Sequence, residues 1–362
     1  MSLTNQQIEA RVNDLMDPNT GKTFASTRSL KNLTISGNDI SLQLVVGYPA
    51  KTLGCAVRDH VVGALKTLPG VGQVRVEVLC EVKAHAVQAG LKPIKGIRNV
   101  VAIASGKGGV GKSTTAVNLA LALLAEGARV GILDADIYGP SQPTMLGITG
   151  HPESDDGKSM RPLMGHGLQT MSVGYLIDPD QPMVWRGPMV TQALEQLLRD
   201  TAWDDLDYLI VDMPPGTGDI QLTLAQKVPV TGAVIITTPQ DIALLDARKG
   251  FKMFEKVGVP ILGVVENMST HICSKCGHEE HIFGAGGAAR MVADFGTELL
   301  GSLPLDIRIR EQTDAGRPTV VAEPEGSITD IYRAMARRLA IKIALRGEDH
   351  ATKFPKIVVQ NT

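Results

Sequence analysis

From Val100 onward the chain repeats one pattern: a short, continuous apolar run rich in β-branched residues, then a longer stretch with apolar positions at helical spacing. The runs are "VVAIAS", "RVGILDAD", "YLIVDMP", "GAVIITTP", "ILGVVENM" and "SLPLD". A strand apolar at every position is buried on both faces, which requires parallel pairing with helices on either side. The pattern predicts an α/β domain over residues 100–346, with a mostly parallel sheet covered by helices on both faces.

The first ninety residues read differently. An amphipathic helix is predicted around Gln6–Met16 and a second near Leu53–Thr67, with alternating strand-like stretches "SLKNLTIS" and "DISLQLVVGY" between them and "GQVRVEVLCEV" after. Residues 1–90 are therefore expected to form a small α+β domain. Two glycines, a proline and two lysines in "AGLKPIKGIRN" mark a linker over residues 91–99, and residues 347–362 read as a polar C-terminal tail.

Composition changes this picture little. The chain has 362 residues, 43% of them hydrophobic, enough for real cores. A formal net charge of −2 and 4% aromatic residues supply neither the basic surface nor the stacking platforms of a nucleic-acid binder. Glu9 and Asp14 stand where a secretory signal needs apolar residues, and no run approaches a membrane span. The expected compartment is the cytoplasm, with no membrane role. Four cysteines, two of them spaced C-x-x-C, suggest metal or redox chemistry under reducing conditions rather than a disulfide scaffold.

The chemistry begins at "GKGGVGKST", residues 106–114, which matches G-x-x-x-x-G-K-[ST] between a strand and an apolar helix. Gly106, Gly108, Gly109, Val110 and Gly111 are expected to wrap backbone N–H groups around phosphates at the helix N-terminus. Lys112 is expected on the β- and γ-phosphates, Ser113 on Mg²⁺, and Thr114 completes the site. Asp212, ending "YLIVD", is the carboxylate a magnesium nucleotide site needs, and the Gly/Pro-rich loop behind it is suited to sensing a γ-phosphate. Asp134 and Asp136 end another strand; one of them is a candidate for orienting the attacking water, the alternative for each being a turn or helix cap.

Lys107 is not demanded by the general motif. With it the loop resembles the deviant Walker A of the group that includes MinD, ParA and the nitrogenase iron protein. In that group the extra lysine reaches a partner's phosphates across a dimer. The resemblance therefore implies a homodimer, against the plainer reading of Lys107 as a solvated lysine.

"HICSKCGHEEH" places His271, Cys273, Cys276, His278 and His281 in one short loop. One chain supplies ligands for a Cys₂His₂ zinc site, although the spacing is awkward, and a redox dithiol is a further alternative. If two such loops meet on a two-fold axis, Cys273 and Cys276 from each provide the four thiolates of an iron–sulfur cluster.

Nearly the whole chain resembles the Mrp/ApbC family of P-loop ATPases that carry iron–sulfur clusters, including a small N-terminal domain of the MIP type. The features that carry this are the phosphate loop, "DADIYGPSQPTML" at 134–146, "WRGPMV" at 185–190, "DMPPGTGD" at 212–219, "ENMS" at 266–269 and "CSKCGH" with "IFGAGG" at 273–287. The resemblance implies that Lys107 acts in trans, Asp136 lies near the hydrolytic water, Asp212 holds magnesium and Asn267 contacts adenine. It also implies a labile [4Fe-4S] cluster bridged between subunits by Cys273 and Cys276, slow ATP hydrolysis, and transfer of the cluster to apoproteins with assembly factors as partners. The N-terminal ferredoxin-like cysteine cluster of the eukaryotic cytosolic relatives is missing, as in the bacterial-type carriers. Ala56 follows Cys55 where proline is common in the MIP-type domain, so Cys55 and Cys80 are expected to be small buried hydrophobes rather than cluster ligands.

Two competing readings follow from the same residues. One is a MinD- or ParA-like positioning ATPase, for which the basic amphipathic stretch Ser327–Arg346 would bind an acidic membrane, against the plainer reading of a helix that closes the α/β sheet with its arginines in water. The other is a P-loop ATPase loaded with zinc.

Overall fold

The computed structural model describes residues 4–85, 88, 91–177, 187–273 and 275–352. They form two compact units: residues up to Lys83 together with those from Ala340, and Ala84–Leu339.

In the first unit α1 (Asn5–Asp14) starts at a capping box, in which Thr4 and Gln7 each bond the other's backbone N–H. α2 (Phe24–Thr27) leads to β1 (Leu30–Ser36) and β2 (Asp39–Val46), an antiparallel pair. α3 (Gly54–Lys66) then crosses over to β3 (Val74–Cys80), which pairs parallel to β2. Alternation in β2 buries Ile40, Leu42, Leu44 and Val46, and α3 answers with Val57, Val61 and Leu65 at four-residue spacing. Each such side chain contributes about 1.5–3 kcal/mol on burial.

The second unit begins with β4 (Ile97–Ser105), α4 (Lys112–Ala125), β5 (Val130–Asp134) and α5 (Gln142–Leu146). A hairpin of β6 (Leu163–Gly165) and β7 (Leu168–Ser172) follows, then α6 (Gly187–Asp200), β8 (Leu206–Asp212) and α7 (Asp219–Lys227). Next come β9 (Gly232–Thr237), α8 (Asp241–Lys256), β10 (Ile261–Glu266) and a small separate hairpin of β11 (His271–Ile272) and β12 (Glu279–Glu280). The unit continues with α9 (Gly287–Phe295), β13 (Leu299–Ser302), α10 (Ile307–Asp314), α11 (Thr319–Ala322) and the start of α12 (Ser327–Thr352).

Among the described residues the large sheet has eight strands in the order β13-β10-β9-β4-β8-β5-β7-β6, parallel except for the β6–β7 edge pair. Every residue of β5, β8 and β9 is buried, as the continuous apolar runs predict for strands covered on both faces. Register sets the site: Asp134 of β5 lies directly opposite Asp212 of β8.

The run "SLPLD" begins at Ser302, where β13 ends, rather than lying on that strand, and two domain boundaries also differ from the sequence reading. β4 takes Ile97–Asn99 out of the predicted linker because those residues have sheet partners: Asn99 is buried and donates to the Asp207 carbonyl. α12 runs to Thr352 through the expected tail, since one glycine, Gly347, costs a helix only about 1 kcal/mol. Residues 353–362 of that tail lie outside the described residues.

Candidate functional site

The phosphate loop joins the C-terminal end of β4 to the first turn of α4. Gly109 and Gly111 have φ of +79° and +80°, the left-handed region that L side chains avoid. Gly106 is required for another reason: a Cβ there would lie 2.2 Å from the Asp246 carbonyl carbon of α8, which passes directly behind the loop. The Ser105 hydroxyl donates to the Lys107 carbonyl, and the Gly216 N–H donates to the Ser105 carbonyl. This second bond ties the loop after β8 to the end of β4.

Lys112 is buried, and its ammonium lies 2.5 Å from Asp212 Oδ1 and 3.0 Å from Ser113 Oγ. The other Asp212 oxygen accepts from Gln142 Nε2 at 2.8 Å. Asp134, fully buried, accepts from the backbone N–H groups of Asp136, Ser141 and Gln142 and from the Ser172 hydroxyl. Burial, and then the facing Asp212 carboxylate, push the Asp134 carboxyl up to about 7. Asp134 is thus the turn former of its pair. Asp136 is half-buried at the mouth of the same loop; burial raises its carboxyl, opposed by the Lys112 ammonium.

This arrangement suits a magnesium nucleotide. The glycine loop offers backbone donors at a helix N-terminus, and Ser113 and Asp212 bring oxygen donors of the kind a hard cation takes. Two buried acceptors nearby, Ser141 Oγ and Gln142 Oε1, have no hydrogen-bond partner. Such groups are costly unless something pairs with them.

Asn267 follows β10. Its side-chain amide donates to the Val110 carbonyl at 2.9 Å, and its Oδ1 accepts from the Met268 N–H. The residue that begins the cysteine segment is therefore bonded to the phosphate loop. A Cβ on Gly111 would lie 2.1 Å from Asn267 Nδ2. Gly111→Ala is accordingly expected to lose about 1–3 kcal/mol of stability from the left-handed backbone, to displace Asn267 and to weaken nucleotide binding. Thermal melting together with titration of a fluorescent ATP analogue measures both; wild-type values for both would refute this account of the glycine.

The two cysteines sit at the tip of the β11–β12 hairpin. Cys273 N–H donates to the His278 carbonyl and Gly277 N–H to the Cys273 carbonyl, closing a tight turn with Gly277 at φ +72°. Cys276 is exposed and Cys273 half-buried. The backbone N–H of Lys275, followed by the backbone and thiol of Cys276, holds the Cys273 thiol below its ordinary pKa, favouring the thiolate that binds metal. His271 Nδ1 donates to the Leu305 carbonyl and His281 Nδ1 to the Ser269 carbonyl, fixing the base of the hairpin. Ile272 and Ile282 flank it, each more than half exposed. Among the described residues no three His, Cys, Asp or Glu side chains converge to hold a metal ion, so the ligands of a closed Cys₂His₂ site do not assemble there. Ser274 and, in the "WRGPMV" stretch, Trp185 and Arg186 lie outside the described residues.

Residues 96–340 match a family described as the NUBPL iron-transfer P-loop NTPases, and residues 5–78 match one described as iron–sulfur cluster assembly proteins. The chain belongs to the NUBPL iron-transfer P-loop NTPase family. An iron–sulfur cluster carrier protein of Escherichia coli K12 is 64% identical over 256 residues, 70% of this chain and 69% of the relative. One from Haemophilus influenzae is 48% identical over 343 residues, 94% of this chain and 92% of the relative. The mouse iron–sulfur cluster transfer protein NUBPL is 52% identical over 254 residues, 70% of this chain and 80% of that protein. Among solved structures, a nucleotide-binding protein from Archaeoglobus fulgidus in complex with ADP superposes with TM-score 0.56 at 35% identity, covering 64% of this chain and 90% of that one. The cell division ATPase MinD of Pyrococcus furiosus, at 22% identity and TM-score 0.51, covering 67% of this chain and 98% of that one, shares the fold.

Of the residues singled out from sequence, the structure gathers Gly106–Thr114, Asp134, Asp136, Asp212 and Asn267 at one end of the central strands, with Cys273 and Cys276 on the hairpin that follows Asn267. Cys55 and Cys80 are exposed rather than buried. α3 turns Val57, Val61 and Leu65 inward and leaves Cys55 outside, while Cys80 lies beyond Val76, the buried residue of β3. Gln142 was missed. Its sequence signal is its place within "DADIYGPSQPTML", a stretch that carries the resemblance without assigning Gln142 a role.

Proposed function

We propose that this protein is an ATP-dependent iron–sulfur cluster carrier that acts as a homodimer. Cys273 and Cys276 of each copy hold one labile [4Fe-4S] cluster on the two-fold axis, and the cluster passes to apoproteins with assembly factors as partners, in the reducing cytoplasm. The reading is carried by the half-site: two thiols at an exposed hairpin tip, with no third metal-binding side chain converging among the described residues. The names of the relatives point the same way.

At the nucleotide, Lys112 moves from Asp212 to the β- and γ-phosphates, and Ser113 and Asp212 hold Mg²⁺, which neutralises phosphate charge. Asp136 orients the attacking water, Asn267 contacts adenine, and Lys107 reaches the partner's phosphates. ATP biases the cluster site only through different affinities for two states of the dimer, and the Asn267–Val110 bond gives the two sites a shared contact. The positioning-ATPase reading loses its main support, because Arg333 and Arg337 pair with buried Glu126 at 2.9 Å each and Arg338 donates to the Leu300 carbonyl. No helix among the described residues is long and apolar enough to cross a membrane.

Anaerobic reconstitution with iron and sulfide tests the proposal. About four iron and four sulfide per two chains, with the mass of a dimer, is the expected result. A cluster on each single chain, or zinc retained in place of iron, would sink it.

A further inference from the structure

Gln142 makes contacts that its place in the sequence does not explain. The residue opens α5, in the loop after β5, and its side chain is buried. Nε2 donates to Asp212 Oδ2 at 2.8 Å and to the Ser113 carbonyl at 3.2 Å, so one amide spans the carboxylate at the end of β8 and the first turn of α4. Its backbone N–H is anchored separately, on Asp134 Oδ2 at 3.0 Å. Two acceptors on one side fix the orientation of the amide: turned over, it would set its oxygen against a carboxylate and a carbonyl. The oxygen, Oε1, is then left buried with no hydrogen-bond partner. A buried unpaired acceptor on an amide that bonds the Asp212 carboxylate calls for a donor.

We propose that Gln142 is a positioning residue for the magnesium end of the nucleotide site. Its amide N–H₂ holds Asp212 in place, and its Oε1 accepts a hydrogen bond from a water bound to the metal. Asp212 has two donors, Lys112 on Oδ1 and Gln142 on Oδ2. When Lys112 turns to the phosphates, Oδ1 is released to face the metal, while Gln142 keeps the carboxylate from rotating. Asp212 is thereby ready for the cation at the moment its lysine leaves. The backbone anchor on Asp134 makes the amide part of the loop that also carries Asp136, so placing the metal and placing Asp136 become one event.

The inference rests on the nucleotide-binding half of the proposed function, and its test separates the two. Gln142→Met keeps length and approximate volume and removes both amide functions. Gln142→Glu keeps an acceptor and sets a second carboxylate against Asp212. The readout is affinity for a fluorescent ATP analogue on the full-length protein, with Mg²⁺ and with EDTA, alongside kcat, KM and the melting temperature. Wild type should bind more tightly with Mg²⁺. In Gln142→Met that Mg²⁺-dependent gain should shrink about tenfold, the scale of one hydrogen bond to a charged group, while affinity in EDTA stays at the wild-type value and kcat falls more than KM rises. Gln142→Glu should lose more of the gain, through like-charge repulsion. Affinities that fall together with and without Mg²⁺ would mean Gln142 merely packs the loop, and an undiminished Mg²⁺ gain would mean it does nothing for the metal; either overturns the inference. If wild type itself gains nothing from Mg²⁺, the nucleotide reading fails first.

Discussion

Lys112→Ala should reduce ATP hydrolysis at least about a hundredfold, the scale of removing one charge-stabilising donor from a phosphoryl-transfer site. It should also destabilise the protein, for a separate reason. Asp212 is wholly buried, and the Lys112 ammonium is its counter-charge. Removing one partner of a buried pair leaves an uncompensated charge, at a cost of about 3 kcal/mol. Gln142 offsets only part of this, as one neutral donor. The double variant Lys112→Ala/Asp212→Asn removes the stranded charge and should recover much of the lost stability while remaining inactive. Denaturant melts and phosphate release on the wild type, both single variants and the double variant give the full cycle. Hydrolysis within a few-fold of wild type in Lys112→Ala would assign the measured turnover to a contaminant. Failure of the double variant to recover stability would show that the ion pair is not what Lys112 contributes to the fold.

What could be read from the sequence was whatever depends on neighbours along the chain. Five of the six apolar runs announced buried parallel strands because a strand covered on both faces must be apolar throughout, whereas "SLPLD" begins where β13, only partly buried, ends at Ser302. The phosphate loop was legible because its glycines serve local backbone geometry, as Gly109 and Gly111 do at positive φ. What depends on register was not legible. As strand-end carboxylates Asp134 and Asp136 differ only through the family resemblance, and it is the pairing of Asp134 with Asp212 across β5 and β8, with the turn of N–H groups folded over it, that separates the buried turn former from the half-buried Asp136. Gln142 acquires its role from residues 70 and 29 positions away, which no local pattern encodes. Cys55 and Cys80 were misjudged by residue type, since cysteine is commonly buried. Here valines and leucines already fill the inner face of α3 and β3. The hairpin carrying Cys273 and Cys276 read as a loop, its strands being two residues each.

Cys276→Ala should abolish cluster retention and, with it, transfer of iron and sulfide to an apoprotein. The reason is arithmetic as much as chemistry. A site built from two copies of a two-thiol hairpin keeps two thiolates when one cysteine is lost from each chain, and a [4Fe-4S] cluster is held by four. His271 and His281 make poor substitutes, because each uses a ring nitrogen to fix the hairpin base. Cys276 is exposed, so its loss should leave the unfolding free energy of the cluster-free protein within about 0.5 kcal/mol of wild type. A failure to bind iron then cannot be blamed on misfolding. Cys55→Ser and Cys80→Ser are the matched controls: both thiols are exposed, both lie in the other unit, and the bridging account gives neither a role. The variants should be compared by iron and sulfide content, visible absorption and mass under anaerobic conditions. Loss of cluster in Cys276→Ala alone supports the bridging hairpin. Retention there with loss in Cys55→Ser would move the cluster to the N-terminal unit and leave the hairpin without the cargo its two thiols imply.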